Sequence, residues 1–138
     1  MISTKGLTKQ FENETAIDYK DLTFEKGKSY MLLGASGCGK STLLNMIAGI
    51  LSPTEGTIEV GGIDTSTLTQ KQKDKFRIEK IGYIFQDFKL ITDMTVMDNI
   101  EILRLENVDI SEIDAVLESL GILDKKNKKV KHLSGGEK

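Results

Sequence analysis

The residues with the clearest chemical potential lie between Gly34 and Thr42, where the chain reads GASGCGKST. Gly34, Gly39, Lys40 and Ser41 match the pattern G-x-x-x-x-G-K-[ST], whose backbone N–H groups surround phosphate oxygens. Glycine lets the backbone approach an anion closely, because no side chain blocks the contact. The pattern predicts that Lys40 reaches the β- and γ-phosphates of a nucleoside triphosphate and that Ser41 places its hydroxyl on Mg²⁺.

The segments on either side of this loop supply the context that such a motif needs. Residues 30–33 form an apolar run that predicts a strand, and residues 40–48 have a helical pattern that ends at Gly49. The helix N-terminus favours an anion. A chance match in an ordinary glycine turn is the alternative, and the flanking strand and helix argue against it. Cys38 is expected to be a small residue that fills the loop rather than a redox sensor.

Composition restricts the classes of function. The 138 residues are enough for one domain with a core, and 19 basic residues stand against 21 acidic ones. No basic excess points to nucleic acid. One cysteine cannot form an internal disulfide, and no stretch predicts a signal peptide or a membrane span. The chain is therefore expected to be soluble and cytoplasmic.

The pattern before and after the loop predicts a β-rich first half. Phe85 and Gln86 end the short apolar run IGYIF, which predicts a buried strand. If that strand is parallel to the one at 30–33, Gln86 lies near the phosphates; otherwise it is merely solvated. The other predicted elements are strands at 2–11 and 17–24 (interrupted near 20–21), a polar turn at 12–14, a strand at 57–64 with a bend at Gly61-Gly62, and a surface helix at 69–77.

The second half of the sequence has a pattern that predicts helices. Thr95 is a predicted N-cap for a helix at 96–105, and Ser111 for one at 112–120. The second of these helices is expected to bury a face made of Ile113, Val116, Leu117 and Leu120.

Two further features complete this half. Five lysines between residues 125 and 131 are expected to form a solvated loop rather than a lipid or RNA site, and His132 to be structural or solvated. At the end of the sequence, Ser134 and Glu137 have the spacing of a capping box, and Gly135 and Gly136 make a second potential anion cradle. A flexible polar tail is the alternative there.

Together these motifs resemble the ATP-binding-cassette ATPases. The loop GASGCGKST, Phe85-Gln86 and LSGGE at 133–137 occur in that family's order and at compatible spacing. The resemblance implies a P-loop NTPase fold of class α/β, with a mostly parallel core sheet, an N-terminal antiparallel β part and a helical subdomain, incomplete at the C-terminus. It implies a single truncated nucleotide-binding domain over 1–138, with an ATP-binding core at 1–86 and the helical subdomain at 87–138.

The resemblance also implies the cofactors, ATP and Mg²⁺, and a role for each matched residue. Phe11 corresponds to the aromatic residue that stacks on adenine, and Lys40 and Gln86 take part in catalysis. Ser41 and Gln86 complete the Mg²⁺ shell. The signature residues contact the γ-phosphate bound by a second subunit. The implied nucleotide-binding residues are Phe11, Gly34, Ser36, Gly37, Cys38, Gly39, Lys40, Ser41, Thr42, Ser134, Gly135 and Gly136.

The implied assembly is a head-to-tail dimer of ATPase subunits, peripheral on the inner face of the cell membrane. Residues near 87–105 would meet a membrane permease, and no nucleic acid is expected. Residues 83–100 are similar to the branch that serves lipoprotein release, macrolide export and antimicrobial-peptide resistance, which implies export.

One departure from the family pattern affects activity. The family carries an Asp-Glu pair after LSGGE that orders Mg²⁺ and polarises the attacking water, and this pair is not in the sequence. The chain alone is therefore expected to bind nucleotide weakly and not to turn it over. Two alternatives stay open: a non-transport cassette ATPase that acts on DNA or ribosomes, and a binding-only nucleotide module.

Overall fold

The computed structural model describes residues 1–12 and 16–137. The chain forms two compact units, Met1–Tyr83 and Ile84–Lys138. The division at residue 86 into an ATP-binding core and a helical subdomain stays a prediction, because compactness alone assigns nucleotide binding to neither unit. The polar turn expected at 12–14 falls largely outside the described residues.

The first unit is built on an antiparallel sheet. Its strands are β1 (Ile2–Lys9), β2 (Ile17–Asp18), β3 (Leu22–Phe24), β4 (Glu55–Val60) and β5 (Ile63–Asp64). Strand β1 is central: it pairs with β2, β3 and β4, and β5 extends the sheet beyond β4. The interruption expected near 20–21 is present between β2 and β3, where the Asp21 carboxylate accepts the Gly6 N–H at 2.8 Å.

A bulge lies between β1 and β4. The register of the pair shifts between Lys5 and Thr8, and Gly6 and Gly56 both have positive φ there. A Cβ on Gly56 would lie 2.3 Å from the Gly6 carbonyl oxygen. Only glycine allows the two backbones to approach this closely.

Helix α1 (Lys40–Ile47) forms where the pattern after the loop predicts a helix, and it packs on the sheet. Its buried side chains Leu43, Met46 and Ile47 form one core cluster with Leu7 of β1 and Ile58 of β4. Removing these apolar side chains from water is the main favourable term for such a layer. The helix ends where expected, at a glycine with φ 68°, Gly49.

Helix α2 (Gln70–Lys80) is longer than predicted and less superficial. It begins with a capping box between Thr69 and Gln72. Phe76 is buried and so is Lys73, whose ammonium donates to Ser52 Oγ at 2.8 Å, while Arg77 Nη1 donates to the Gly49 carbonyl at 2.8 Å. The two cations therefore attach α2 to the chain that follows α1, where the helix dipole is negative.

Two predicted strands, at 30–33 and 81–85, are absent from the described structure. Every strand pairing among the described residues is antiparallel, so the expected parallel core sheet is not formed there. Met31, Leu33 and Ile84 are 79%, 83% and 92% exposed, which also contradicts burial of the second run. A strand needs a neighbouring strand that accepts and donates its backbone hydrogen bonds, and no strand pairing among the described residues includes either run.

The second unit is helical. Helix α3 (Val96–Glu101) is followed by a 3₁₀ turn at Ile102–Glu106, so the helix predicted at 96–105 loses its α-helical geometry halfway. Helix α4 (Ile113–Ser119) and short 3₁₀ turns at Leu123–Lys125 and Val130–His132 complete the unit. Its buried apolar side chains are Ile110, Leu117, Val130 and Leu133.

The start and the buried face of α4 differ from the prediction. Its N-cap is Glu112, while Ser111 donates its N–H to the Asp109 carboxylate at 2.9 Å in a local turn. Only Leu117 of the four expected face residues is buried; Val116 and Leu120 are exposed. Periodicity identified the helix but could not show which residues have a neighbour to pack against.

Three of the five lysines between residues 125 and 131 pair with carboxylates, so the segment is not simply solvated. Lys126 Nζ lies 2.5 Å from Asp114 Oδ1, Lys131 Nζ lies 2.7 Å from Asp93 Oδ1, and Lys125 pairs with Asp124. His132 is exposed, as expected. No helix among the described residues is long and apolar enough to cross a membrane.

Candidate functional site

The loop before α1 is exposed, and its backbone conformation depends on glycine. Gly37 and Gly39 have φ of 78° and 91°, the left-handed region that glycine adopts without strain. Gly39 is the N-cap of α1 and, having no side chain, makes no side-chain cap hydrogen bond. The first N–H groups of a helix need acceptors from outside it. This uncapped N-terminus fits an anionic group such as a nucleotide phosphate.

The Lys40 side chain is hydrogen-bonded to the backbone of the loop. Its Nζ donates to the carbonyl oxygens of Gly34 and Ala35, at 2.9 and 2.6 Å. The Cys38 sulfur is 3.5 Å from the same ammonium and would lie 2.7 Å from a Cβ on Gly34. The sulfur therefore fills the space between Gly34 and Lys40. The Lys40 ammonium is therefore held at the loop by neutral acceptors, and an anionic phosphate could replace these carbonyl oxygens as its partner.

The remaining loop residues are accessible. Ser36 and Ser41 are exposed, and Thr42 is half-buried. A Cβ on Gly37 would meet no atom within 4 Å, so the backbone borders open space. Hydroxyl oxygens suit Mg²⁺, a hard cation, and Ser41 at the first turn of α1 is the residue that would hold it. When bound, the ion would neutralise phosphate charge.

Tyr19 is a loop contact that the sequence analysis missed. Its hydroxyl donates to the Gly39 carbonyl at 3.0 Å, and its own N–H donates to the Leu7 carbonyl of β1 at 2.9 Å. A Cβ on Gly39 would lie 2.6 Å from Tyr19 Oη and 3.1 Å from Ile17 Cγ2. No local pattern could have revealed this, because the contact joins residues 20 positions apart.

Burial raises the pKa of Tyr19 above its ordinary value of 10.0, and the neighbouring Thr42 side chain offsets part of that rise. The hydroxyl therefore keeps its proton at neutral pH and stays a donor.

Phe11 lies in the same unit as the loop, just after β1. Its ring is half-buried, and Lys9 Nζ is 5.3 Å from the ring centroid, within range of a cation–π contact. Lys9 Nζ also donates to the Ser52 carbonyl at 3.0 Å. The ring is therefore held on one face by Lys9, and its role toward adenine stays a prediction.

Gln86 and the signature stretch belong to the second unit. Gln86 is exposed and is followed by Phe88 and Lys89, both with left-handed φ, of 58° and 52°. Such conformations cost non-glycine residues free energy and are concentrated in loops that bind or switch. The Lys89 ammonium, 2.5 Å from Asp87, holds the pKa of that carboxyl below its ordinary value.

Half of the predicted capping box at the end of the chain is formed. The Ser134 N–H donates to Glu137 Oε2 at 2.8 Å, and its hydroxyl donates to the same atom at 2.9 Å. These bonds lower the pKa of Glu137 below its ordinary value. Residues 135–137 form a turn, and a Cβ on Gly135 or Gly136 would meet no atom within 4 Å.

Residues 17–138 match a family model described as ABC transporter. The chain belongs to the ABC transporter family. It is 38% identical over 133 residues to the ABC transporter ATP-binding protein YtrE of Bacillus subtilis, covering 91% of this chain and 57% of that one. It is 39% identical over 146 residues to the methionine import ATP-binding protein MetN of Corynebacterium diphtheriae, covering 99% of this chain and 43% of that one.

A solved structure gives the same assignment. The dimeric bacterial ABC transporter cassette MJ0796 superposes with a TM-score of 0.84 at 32% identity, covering 99% of this chain and 65% of that one. In a second structure, with a TM-score of 0.83, the MJ0796 dimer is bound to ADP and phosphate. The chain therefore spans about half the length of the two curated relatives and about two thirds of the solved cassette.

Proposed function

We propose that this chain is the nucleotide-binding part of an ABC transporter ATPase, with the loop at 34–42 as its phosphate site. The observation that carries the proposal is the N-terminus of α1, which has no side-chain cap. It follows a glycine loop, and Lys40 is the first residue of the helix. Backbone N–H groups, a helix dipole and one ammonium together form the donor set that a polyphosphate requires.

We assign the ligands ATP and Mg²⁺. In this assignment the loop residues bind the phosphates, Ser41 and Gln86 hold Mg²⁺, and Phe11 stacks on adenine. The Phe11 ring lacks the hydroxyl of tyrosine but keeps the face that stacks. The bound state of MJ0796, with ADP and phosphate, supports the ligand class.

We propose a head-to-tail dimer as the active unit. One loop neutralises only part of a triphosphate's charge, and Ser134, Gly135 and Gly136 of a second subunit would supply further donors. ATP then favours the closed dimer because it binds that state more tightly. The dimeric MJ0796 cassette supports the assembly.

The partner and location follow from the same proposal. A membrane permease would contact residues near 87–105, with the ATPase peripheral on the inner face of the membrane. Exposed apolar side chains in that segment, among them Phe88 and Ile91, support a protein contact there. Export, as in lipoprotein-release, macrolide-export and antimicrobial-peptide-resistance systems, is the direction we propose.

Calorimetry of Mg-ATP binding, with a parallel hydrolysis assay, tests the proposal on the chain and its Lys40→Ala variant. We expect Lys40→Ala to weaken binding roughly 10- to 100-fold, because it removes a charge-assisted contact to phosphate. We expect no turnover by the chain alone, since residues 1–138 contain no matched Asp-Glu pair.

The matched control is Lys28→Ala, which removes an exposed lysine paired with Glu25 and should leave binding unchanged. Equal binding by the Lys40→Ala variant and the chain would refute the phosphate site. Turnover that Lys40→Ala abolishes would refute the second expectation and place a general base within these residues.

A further inference from the structure

We infer that Tyr19 is a positioning residue for phosphate binding, acting through the Gly39–Lys40 peptide group. This inference rests on the proposed function. Tyr19 lies outside the loop motif, in the connection between β2 and β3, and its hydroxyl donates to the Gly39 carbonyl at 3.0 Å.

The Gly39 carbonyl receives two hydrogen bonds. One comes from the Leu43 N–H at 2.9 Å and begins helix α1; the other comes from Tyr19. An α-helix supplies only the first, so the second is an addition made by the sheet side of the unit. With two donors the carbonyl has less freedom to tilt away from the helix axis.

The orientation of this carbonyl controls the orientation of an N–H group. The described chain contains no cis peptide bond, and in a planar trans peptide the C=O and the following N–H point in opposite directions. Drawing the Gly39 carbonyl toward Tyr19 and the helix turns the Lys40 N–H the other way. That N–H belongs to the uncapped end of α1, where the pattern places phosphate oxygens.

Tyr19 is itself held firmly enough to act as a support. Its N–H donates to the carbonyl oxygen of Leu7, a completely buried residue of the central strand β1. Its ring and the Ile17 side chain lie against Gly39, where even a Cβ would clash with them. The backbone of Gly39 is therefore packed against the Ile17 side chain of β2 and the Tyr19 ring. Because Tyr19 is hydrogen-bonded to β1, it links the position of the loop to that of the sheet.

The test compares Tyr19→Phe, which keeps the ring and removes only the hydroxyl, with a matched Tyr30→Phe. The Tyr30 hydroxyl accepts the Glu25 N–H at 2.8 Å, so this control removes one hydroxyl from the same unit without touching Gly39. Calorimetry with Mg-ADP, and competition by inorganic pyrophosphate, measure phosphate affinity. Thermal unfolding without ligand measures the structural cost of each change.

We expect Tyr19→Phe to weaken ADP and pyrophosphate binding by the same factor, roughly three- to tenfold, with Tyr30→Phe unchanged. The two variants should unfold at similar temperatures. Unchanged affinity in Tyr19→Phe, while the chain itself binds ADP, overturns the inference and leaves the proposed function standing. An unfolding temperature far below that of Tyr30→Phe overturns it in favour of a structural role. If the unmodified chain binds neither ligand, both proposals fall.

Discussion

Adding one methyl group at Gly56 tests whether the bulge between β1 and β4 requires glycine. Gly56→Ala would place a Cβ 2.3 Å from the Gly6 carbonyl oxygen at a residue with φ 86°, so both strain and a backbone clash oppose it. We expect a loss of about 2–5 kcal/mol in the free energy of unfolding of the first unit. Urea unfolding followed by circular dichroism provides the measurement.

Gly61→Ala is the matched control for that change. Gly61 also has a positive φ, of 60°, but a Cβ there would meet no atom within 4 Å. Its cost should be the conformational term alone, about 1–2 kcal/mol. Equal losses in the two variants would show that the strands separate enough to accommodate a side chain, against the close approach described above.

The sequence predicts chemical roles for single residues of the loop, but it does not show which distant residues contact them. Gly39 and Lys40 stand in a pattern whose residue types and spacing predict a phosphate loop, and that role stays a prediction. Tyr19 has no such mark: it is an aromatic residue between two short strands, and only the folded sheet brings its hydroxyl to Gly39. The sulfur of Cys38 likewise has a neighbour, Lys40 Nζ, that the sequence did not specify.

At the scale of single elements, helix α3 depends on its N-terminal cap. The Asp98 N–H donates to Thr95 Oγ1 at 3.0 Å, and the Thr95 N–H donates to Asp98 Oδ2 at 2.9 Å. Hydrogen bonding of the Asp98 carboxylate to the Thr95 side chain, and then to the Thr95 N–H, lowers the pKa of Asp98 below its ordinary value of 3.8. The carboxylate form is therefore favoured in the folded state.

We predict that Thr95→Ala destabilises the second unit by about 1 kcal/mol at neutral pH. It should also raise the pKa of Asp98 toward 3.8, as measured by NMR titration. A carboxyl group whose pKa is lowered in the folded state stabilises the fold when the pH is above its ordinary pKa. This stability is lost as the pH falls through the pKa of the folded state. The difference between the variant and the unmodified chain should accordingly shrink in strongly acidic solution.

Thr92→Ala is the control for this prediction. The Thr92 backbone carbonyl, which alanine retains, accepts the Lys131 N–H at 2.9 Å. This change should affect neither the pKa of Asp98 nor the acid limb of the stability profile. A stability loss in Thr95→Ala that is the same at every pH would contradict the proposed link between the cap and the carboxylate.

Elements were predicted well where local interactions decide them. The Thr95 cap, the glycine end of α1 and the bend between β4 and β5 each depend on neighbours within a few residues, whereas the cap predicted at Ser111 was wrong. The runs at 30–33 and 81–85 failed as strands for the opposite reason: apolar composition favours a strand, but hydrogen bonding to an adjacent strand makes one. The buried face of α4 failed for the same lack of local information.

For the whole molecule, the exposed apolar run at 30–33 predicts self-association. Met31 and Leu33 are two residues apart, and both are more than three quarters exposed. In extended chain such residues lie on one face, and unpaired extended segments pair readily with other chains. We expect concentration-dependent association of the isolated 138-residue chain in sedimentation velocity.

Leu33→Lys should weaken that association about tenfold or more, because it removes a large apolar contact and adds a charge. Ile78→Lys provides the comparison: Ile78 is an exposed apolar residue of α2, well separated in sequence from this run. Its substitution should leave the association constant unchanged. Equal effects of the two variants would mean that net charge, rather than the 30–33 face, controls association.

By itself the sequence determined the family, because the motifs that carry the resemblance are residue types at short, fixed spacings. The phosphate-binding role of residues 34–42 stays a prediction from the same motifs. Part of the local order was also accessible, such as the Thr95 cap and the glycine end of α1. Tertiary structure alone decided which apolar residues are buried, that β1 is the centre of an antiparallel sheet, and that Tyr19 supports Gly39. These features depend on contacts between residues distant in sequence, and a local pattern contains no information about which distant residue will be the neighbour.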